Sequence, residues 1–441
     1  MKRILSILFL LTLFLSVQAE RVKVRIFSNS RIELINISFD LGQYNLYGDG
    51  QLLEKNVGEG LSVIVKAVPN GVNVAVNDYV YGNYKNVELK ATDTACILCL
   101  NPPSVTQRTY EGNLIITAIN ATALQLVNDV DFETYLAGVA QSEIYGNDPE
   151  IFRVQATISR TWALRNINKH SKDGYNFCDH VHCQAYHNRC VRPDIMLGTI
   201  RSTGETIVDA NGNLIETPFH SNSGGQTCNS EDVWRASLPY LRSVKDTFSY
   251  RMKQSNWTKT ITQDKWLNYF EKTHKLNIQD PSVKKELLSF KQDSRKSELM
   301  GIRLTRIRND FGLKSTFFSV RVDPNTGNVI LDGHGYGHGV GLSQEGCIRM
   351  VSLGKNYDEI IRHYYAGAHI HHDAKTPDRY VANYVHEIEK IIADDKAHPG
   401  KVKSKKDDWL GRLFRLRDRQ EREEVYDPEK DKDEGEWDFK W

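Results

Sequence analysis

The feature that most constrains this chain is a change of hydrophobic period. From Val22 onward apolar and polar residues alternate, as in Val22-Lys-Val-Arg-Ile26, Leu61-Ser-Val-Ile-Val-Lys66 and, after a turn at Pro69-Asn-Gly71, Asn73-Val-Ala-Val76. A period of two puts the apolar side chains on one face of a strand, so residues 22–90 read as β. Leu114 to Ile119 and Leu124 to Val127 add two more strands. At Asp131 the spacing turns helical: Phe132, Tyr135, Leu136 and Val139 share a face, with Asp131 placed as N-cap. That helix is expected to stop at Glu143, before the loop residues Gly146-Asn-Asp-Pro149. A second helix follows Pro149, with Ile151, Val154, Ile158 and Trp162 as its apolar stripe.

Further on, residues 201–250 read as short strands and turns. Residues 262–300 read as a charged helical stretch with Trp266, Tyr269 and Phe270 inward. Residues 302–331 read as alternating strands, on Ile302, Leu304 and Ile307 and then Phe317 to Val322, and 356–366 as a short amphipathic helix. The fold class is α+β: a mixed, β-rich core with helices around the segment from Asp131 to Leu164, an N-terminal β region and a charged C-terminal tail. The expected division is a signal peptide at 1–19, a β-rich region at 20–109, a main domain at 110–372 with a helical segment at 255–300, and a tail at 373–441. The tail is dense in Lys, Arg, Asp and Glu and reads as partly disordered, with a short helix carried by Trp409, Leu410, Leu413, Phe414 and Leu416.

The signal peptide rests on Lys2 and Arg3, the apolar run Ile4 to Val17, and the small-residue site at Val17-Gln-Ala19. It implies an exported protein: secreted, periplasmic or held at the cell envelope. Past that run no stretch is apolar for the ~18 residues a membrane span needs, so no transmembrane anchor is expected after cleavage. A formal charge of +1 over 441 residues gives no field for nucleic acid.

Four segments carry candidate chemistry. Glu143 stands at a helix end beside apolar residues, where lost hydration raises a carboxyl pKa toward the range of a general acid, with Arg160 on the next helix as its partner. Cys178-Asp-His180-Val-His182-Cys183 gathers two thiols and two imidazoles within six residues, with His170 nearby. Cys and His are the donors zinc takes, while the two cysteines suit a disulfide as well. His220-Ser-Asn-Ser-Gly-Gly225, which contains Ser223, suits a backbone that approaches a polar ligand such as a sugar. Gly333-His-Gly-Tyr-Gly-His338-Gly-Val-Gly341-Leu-Ser-Gln344 alternates glycine with larger residues, an entropically costly pattern. It lacks the Lys-Ser/Thr ending of a phosphate loop.

In order along the chain, Tyr135-Leu-Ala-Gly-Val139 through Glu143, Gln155-Ala156 to Arg160-Thr-Trp-Ala-Leu164, Cys178 to Tyr186, Phe219 to Gly225, Tyr240-Leu-Arg-Ser-Val244, Gly312 to Phe317 and Gly337 to Gln344 resemble the stage II sporulation protein D family. That family includes the amidase-enhancer LytB proteins. The resemblance spans about residues 110 to 370. It implies a lytic transglycosylase that cuts peptidoglycan glycan strands between N-acetylmuramic acid and N-acetylglucosamine and leaves a 1,6-anhydro end. Glu143 matches the family's single acid/base, and Arg160, Tyr240 and Arg242 match its substrate-site residues. Ser223, His338 and Gln344 join that substrate set. Cys178, His182 and Cys183, with His170 as fourth ligand, match a structural Zn2+ site. The alternative it implies is a non-catalytic peptidoglycan-binding activator of a cell-wall amidase.

Three departures stand out. The loop after Glu143 is one residue short, Gly-His-Gly-Tyr replaces the usual Gly-Arg-Gly-Trp, and Cys347 replaces a small alanine. The expected cysteine pairing is Cys96 with Cys99 and Cys190 with Cys228, leaving Cys347 free.

Overall fold

The structure, a computed structural model, describes residues 21–93, 96–373 and 378–398, and side chains outside 374–384. The expected signal peptide and the expected helix at Trp409 to Leu416 lie outside the described residues. Two compact units account for the chain. Among described residues, one comprises 21–142 and 167–191, and the other 143–166 and 192–398.

The first unit is β-rich. Its strands are β1 (Arg21–Ile26), β2 (Leu34–Leu41), β3 (Gln43–Gly48), β4 (Gln51–Gly58), β5 (Val63–Val68), β6 (Gly71–Val76), β7 (Tyr79–Tyr84), β8 (Asn86–Ala91), β9 (Ile97–Asn101), β10 (Arg108–Glu111), β11 (Asn113–Asn120), β12 (Ala123–Asp131) and β13 (Phe177–Cys178). They form a seven-stranded sheet, β13-β1-β12-β11-β8-β3-β4, and a six-stranded sheet, β10-β9-β2-β5-β6-β7. Strict alternation of burial, as in β5 and β6, sends Val63, Val65, Val72 and Val74 into the core between the sheets. A boundary at 109/110 would cut through β10 and part β11 and β12 from β1 and β8, their partners in one sheet. The chain's division therefore falls later, where helix α1 (Phe132–Glu143) ends. The Asp131 carboxylate caps α1 by accepting from Thr134 N at 3.1 Å.

The second unit holds most of the helices. α2 (Pro149–Arg165) starts with Asp148 as N-cap and Pro149 in the first turn. Its stripe of Ile151, Val154 and Ile158 is buried. α3 (Pro193–Arg201) packs so closely on α2 that a Cβ at Gly198 would lie 2.3 Å from Pro149 O. α4 (Ser230–Val233), α5 (Gln263–His274), α6 (Pro281–Ser289), α7 (Leu304–Phe311), α8 (Gln344–Ser352) and α9 (Tyr357–Tyr364) follow. Trp266 on α5 is the largest side chain buried in its own core with Phe270, Leu287 and Phe318, and its indole N–H donates to Leu287 O at 2.9 Å.

Small sheets complete this unit: β14 (Glu205–Val208) with β22 (His369–His372), β15 (Phe219–His220) with β21 (Leu342–Ser343), β17 (Glu298–Leu299) with β18 (Ile302–Arg303), and β16 (Asn256–Ile261), β20 (Val329–His334) and β19 (Phe317–Val322) in that order. One expected strand is a helix: Leu304, Ile307 and Phe311, all buried on α7, recur at three and four residues. The expected strands are found at Ile302, in β18, and at Phe317–Val322, which is β19. Within the expected tail, α10 (Asp378–Ala397) is a helix that packs on α3, burying Ile388 and Ile391 and pairing Arg201 with Glu389 at 2.8 Å.

Candidate functional site

Glu143 is the last residue of α1 and is partly exposed. Its backbone carbonyl, one of the groups a helix leaves without an internal partner, accepts from Gln344 Nε2 at 3.0 Å. Gln344 opens α8, whose N-cap is Ser343, and its side chain also reaches Gln155 Oε1 on α2 at 3.4 Å. Arg160, two turns further along α2 from Val154, is 3% exposed, and its Nη2 donates to Ser202 Oγ at 3.1 Å.

Two residues past Glu143, Tyr145 leaves half its surface in solvent while its hydroxyl donates to Glu345 Oε1 at 2.7 Å. Partial burial, and then this bond, push the phenol pKa up. Glu345 itself is fully buried. Its carboxylate also accepts from Asn222 Nδ2 at 2.7 Å and from Gln254 N at 3.0 Å. Three donors to one buried carboxylate make it a fixed anchor. Sequence reasoning passed over Glu345 and Tyr145. The local signal was present in Ser343-Gln-Glu345, an N-cap followed by an acid in the first helical turn.

Ser223, expected to touch substrate, is completely buried. Its hydroxyl donates to Asp246 Oδ2 at 2.7 Å and lies 2.8 Å from Ser249 Oγ. It therefore fixes the 222–249 loops from beneath. Gly335 (φ +76°) threads past this loop, where a Cβ would stand 2.5 Å from Asn222 O, and Tyr336 N donates to the same oxygen at 2.8 Å. Gly341 (φ +69°) passes Pro218 O, where a Cβ would stand at 2.1 Å. At these two glycines the alternation reflects backbone-on-backbone approach, while Gly333 and Gly337 pass the side chains of Trp257 and His220.

Tyr240 and Arg242 have other partners than Glu143. Tyr240 is 9% exposed, and its hydroxyl accepts from Glu216 N at 3.2 Å. Arg242 grips Glu231 through both guanidinium ends, one bond at 2.8 Å, and holds that carboxyl down to about 2. His338 is half-buried. Its Nδ1 accepts from Val340 N at 3.1 Å, and its ring lies 5.4 Å from His220 and 5.2 Å from Trp234. Burial, helped by Arg308 and Arg295, pulls its pKa down to about 4.

The Cys/His segment belongs to the first unit and does assemble. One donor atom from each of His170, Cys178, His182 and Cys183 lies within 4.8 Å of the others. Cys183 Sγ is 3.5 Å from His170 Nε2, Cys178 Sγ is 3.6 Å from His182 Nδ1, and Cys183 Sγ is 3.9 Å from His182 Nδ1. His170 turns Nε2 inward because Nδ1 faces Asp173 Oδ2 at 3.2 Å, an outer carboxylate of the kind that orients ligating imidazoles. Burial pushes the Cys183 thiol up to about 12 and lowers His182.

Asp179, which the sequence reading left without a role, staples this loop. Its carboxylate accepts from Phe27 N at 2.7 Å, Ser28 N at 3.1 Å and Arg108 Nη1 at 2.7 Å. Tyr135 of α1 stacks on Phe177 at 5.6 Å and donates to Gln184 Oε1 at 3.2 Å. Cys96, Cys178, Cys183, Cys228 and Cys347 are all thiols, so neither expected disulfide forms. Cys96 instead gives its S–H to Gln43 O at 3.2 Å. No helix among the described residues is long and apolar enough to cross a membrane.

Known proteins resemble much of the chain that carries these residues. The family model SpoIID, described as Stage II sporulation protein, matches residues 120–209, a stretch that contains Glu143, Arg160 and all four Cys/His donors. The chain is 26% identical over 304 residues to Stage II sporulation protein D of Bacillus subtilis (strain 168), covering 64% of this chain and 86% of that protein. It is 25% identical over 299 residues to the Bacillus amyloliquefaciens protein of the same name, covering 63% and 83%. It is 24% identical over 295 residues to the Amidase enhancer of B. subtilis, covering 53% of this chain and 39% of that one. The chain, an α+β fold, is thus similar over somewhat more than half of its length to Stage II sporulation protein D and to an Amidase enhancer, and the SpoIID family model matches one stretch of it.

Proposed function

We propose that this protein is a lytic transglycosylase acting on peptidoglycan glycan strands outside the cytoplasm. The observation that carries the reading is the clamp at Glu143: a partly exposed residue on a helix end whose backbone carbonyl is tied to Gln344 at 3.0 Å. Holding the backbone there limits where the carboxyl group can swing, which a single acid/base residue needs. Glu143, protonated, gives its proton to the glycosidic oxygen as the bond from C1 of N-acetylmuramic acid to that oxygen breaks. The resulting carboxylate takes the proton of the same sugar's C6 hydroxyl, whose oxygen bonds to C1. The 1,6-anhydro ring closes, the N-acetylglucosamine end leaves with a hydroxyl, and no water is consumed. Ordinary glycosidases need a second carboxylate; Glu345, the neighbouring acid, is fully buried and spent on three donors.

The donor set suits Zn2+. A tetrahedral ion with Zn–S near 2.3 Å and Zn–N near 2.0 Å spaces its donors roughly 3.3–3.8 Å apart, close to the observed 3.5, 3.6 and 3.9 Å. With His170, Cys178, His182 and Cys183 all engaged, such an ion has no open position and supplies structure, fixing the loop that Asp179 staples.

Arg160 serves as the positioning cation of this reading. Arg242, Ser223 and Tyr240 act through the loops they hold. The similarity to an amidase enhancer favours a second reading, a non-catalytic activator of a cell-wall amidase. The deciding experiment incubates the purified protein with denuded glycan strands and looks for anhydro-muramic ends by mass spectrometry. Glu143→Gln should lower their formation by roughly 10²–10⁴-fold. No anhydro product, or equal product from the variant, leaves the activator.

A further inference from the structure

We propose that Trp234, with His338 beside it, forms a sugar-stacking subsite that takes one N-acetylhexosamine ring of a glycan strand. The inference rests on the glycan reading above and adds a residue outside the site residues assigned so far.

Trp234 leaves 42% of its surface in solvent. It is nonetheless held in place. Its N–H donates to Ser230 O at 2.7 Å, closing the short helix α4. Its carbonyl accepts from Arg303 Nη2 at 3.3 Å, and the same guanidinium binds Glu231 O at 2.8 Å. Glu231 is in turn locked to Arg242 and Ser230 Oγ receives Arg242 Nη2 at 3.2 Å. One side of the indole lies against His338, ring centres 5.2 Å apart at 49°. An exposed indole on a braced backbone loses little freedom on binding. It offers a flat apolar face of the sort that covers the C–H face of a pyranose.

Polar groups lie beside it. His338 spends Nδ1 on Val340 N, so in the neutral ring the proton sits on Nε2, which meets the Phe219 backbone. Under it, His220 is 4% exposed, and its Nδ1 donates to Val340 O at 3.1 Å. Its Nε2 is a buried acceptor with no partner. Such an atom costs stability in a core. Hydroxyl and acetamido groups are the complement of an aromatic shelf flanked by neutral imidazoles.

The test measures binding apart from catalysis. In the full-length chain carrying Glu143→Gln, isothermal calorimetry follows a β-1,4-linked N-acetylglucosamine tetramer. Adding Trp234→Ala should weaken binding about tenfold, equivalent to about 1.4 kcal/mol, while Trp234→Phe should keep most of it. Thermal melting within a few degrees of the parent shows that the fold is intact. Unchanged affinity in Trp234→Ala, or an equal loss in Trp234→Phe and Trp234→Ala, overturns the subsite. Trp234-dependent binding in a protein whose wild type makes no anhydro ends keeps the subsite and sinks the transglycosylase reading.

Discussion

The side chain of Gln344 and the carbonyl of Glu143 meet at 3.0 Å across 201 residues of sequence. The amide closes the end of α1 from the start of α8, so the position of the candidate acid depends on a residue that cannot itself exchange protons. Gln344→Ala should therefore cost about 1 kcal/mol of stability, the usual worth of one hydrogen bond. It should lower anhydro-end formation far more, by up to about 10²-fold, since small displacements of a reacting group are that costly. Melting curves and product counts on the same preparation would separate the two; equal, small effects on both would show that the clamp does not position Glu143.

The Cys/His cluster predicts one bound metal per chain by elemental analysis, lost in Cys183→Ser. Without a metal, burial holds the Cys183 thiol up to about 12, so binding must expel a proton from it. Affinity should accordingly rise with pH and fall in acid, and a chelator in excess should lower the melting temperature more at pH 8 than at pH 6. A melting temperature indifferent to chelator would refute the site.

His338 gives a pH signature of its own. Its folded pKa, about 4, lies below the ordinary 6.5, and that of His220 is also lowered by burial. Above pH 6.5 both states of the chain are unprotonated at His338 and it contributes nothing. As pH falls from 6.5 toward 4 the unfolded chain takes up a proton that the folded one refuses, so stability drops across that window and levels off below it. His338→Gln should flatten this limb in denaturant titrations at pH 4, 5, 6 and 7; an unaltered slope would remove His338 as its source.

Gly138 tests the packing of α1. A Cβ there would stand 2.5 Å from the Tyr186 ring and 2.8 Å from Asn188 O. Gly138→Ala should destabilise the protein by about 1–3 kcal/mol through overpacking, despite alanine's better helix propensity. A neutral or stabilising result in chemical denaturation would mean that Tyr186 moves aside freely.

Much of this was legible in the sequence. The N-terminal strands, the Asp131 cap, the apolar stripe of α2 and the closeness of Cys178, His182, Cys183 and His170 all depend on local spacing. The rest is non-local. Tyr240, Arg242 and Ser223 look like site residues in a linear string, yet Glu216, Glu231 and Asp246 claim their polar ends. Nothing in the string near Tyr145 announces Glu345, 200 residues away. At α7, Ile302 and Leu304 fit a strand as well as a helix until Ile307 and Phe311 are counted, since short apolar runs are ambiguous by period alone. The expected boundary at 109/110 falls within β10, just before β11 and β12, which pair with β8 and β1.

The close passages at Gly335 and Gly341 also bear on how this protein can change over evolutionary time. Backbone atoms of Asn222 and Pro218 stand where any side chain would go, so these positions are closed to substitution however weak selection becomes. What the loop presents to a ligand is set by the residues between the glycines, the exposed His334 and Tyr336 and the half-buried His338. A lineage can vary that surface one residue at a time, with the chain path left unaltered.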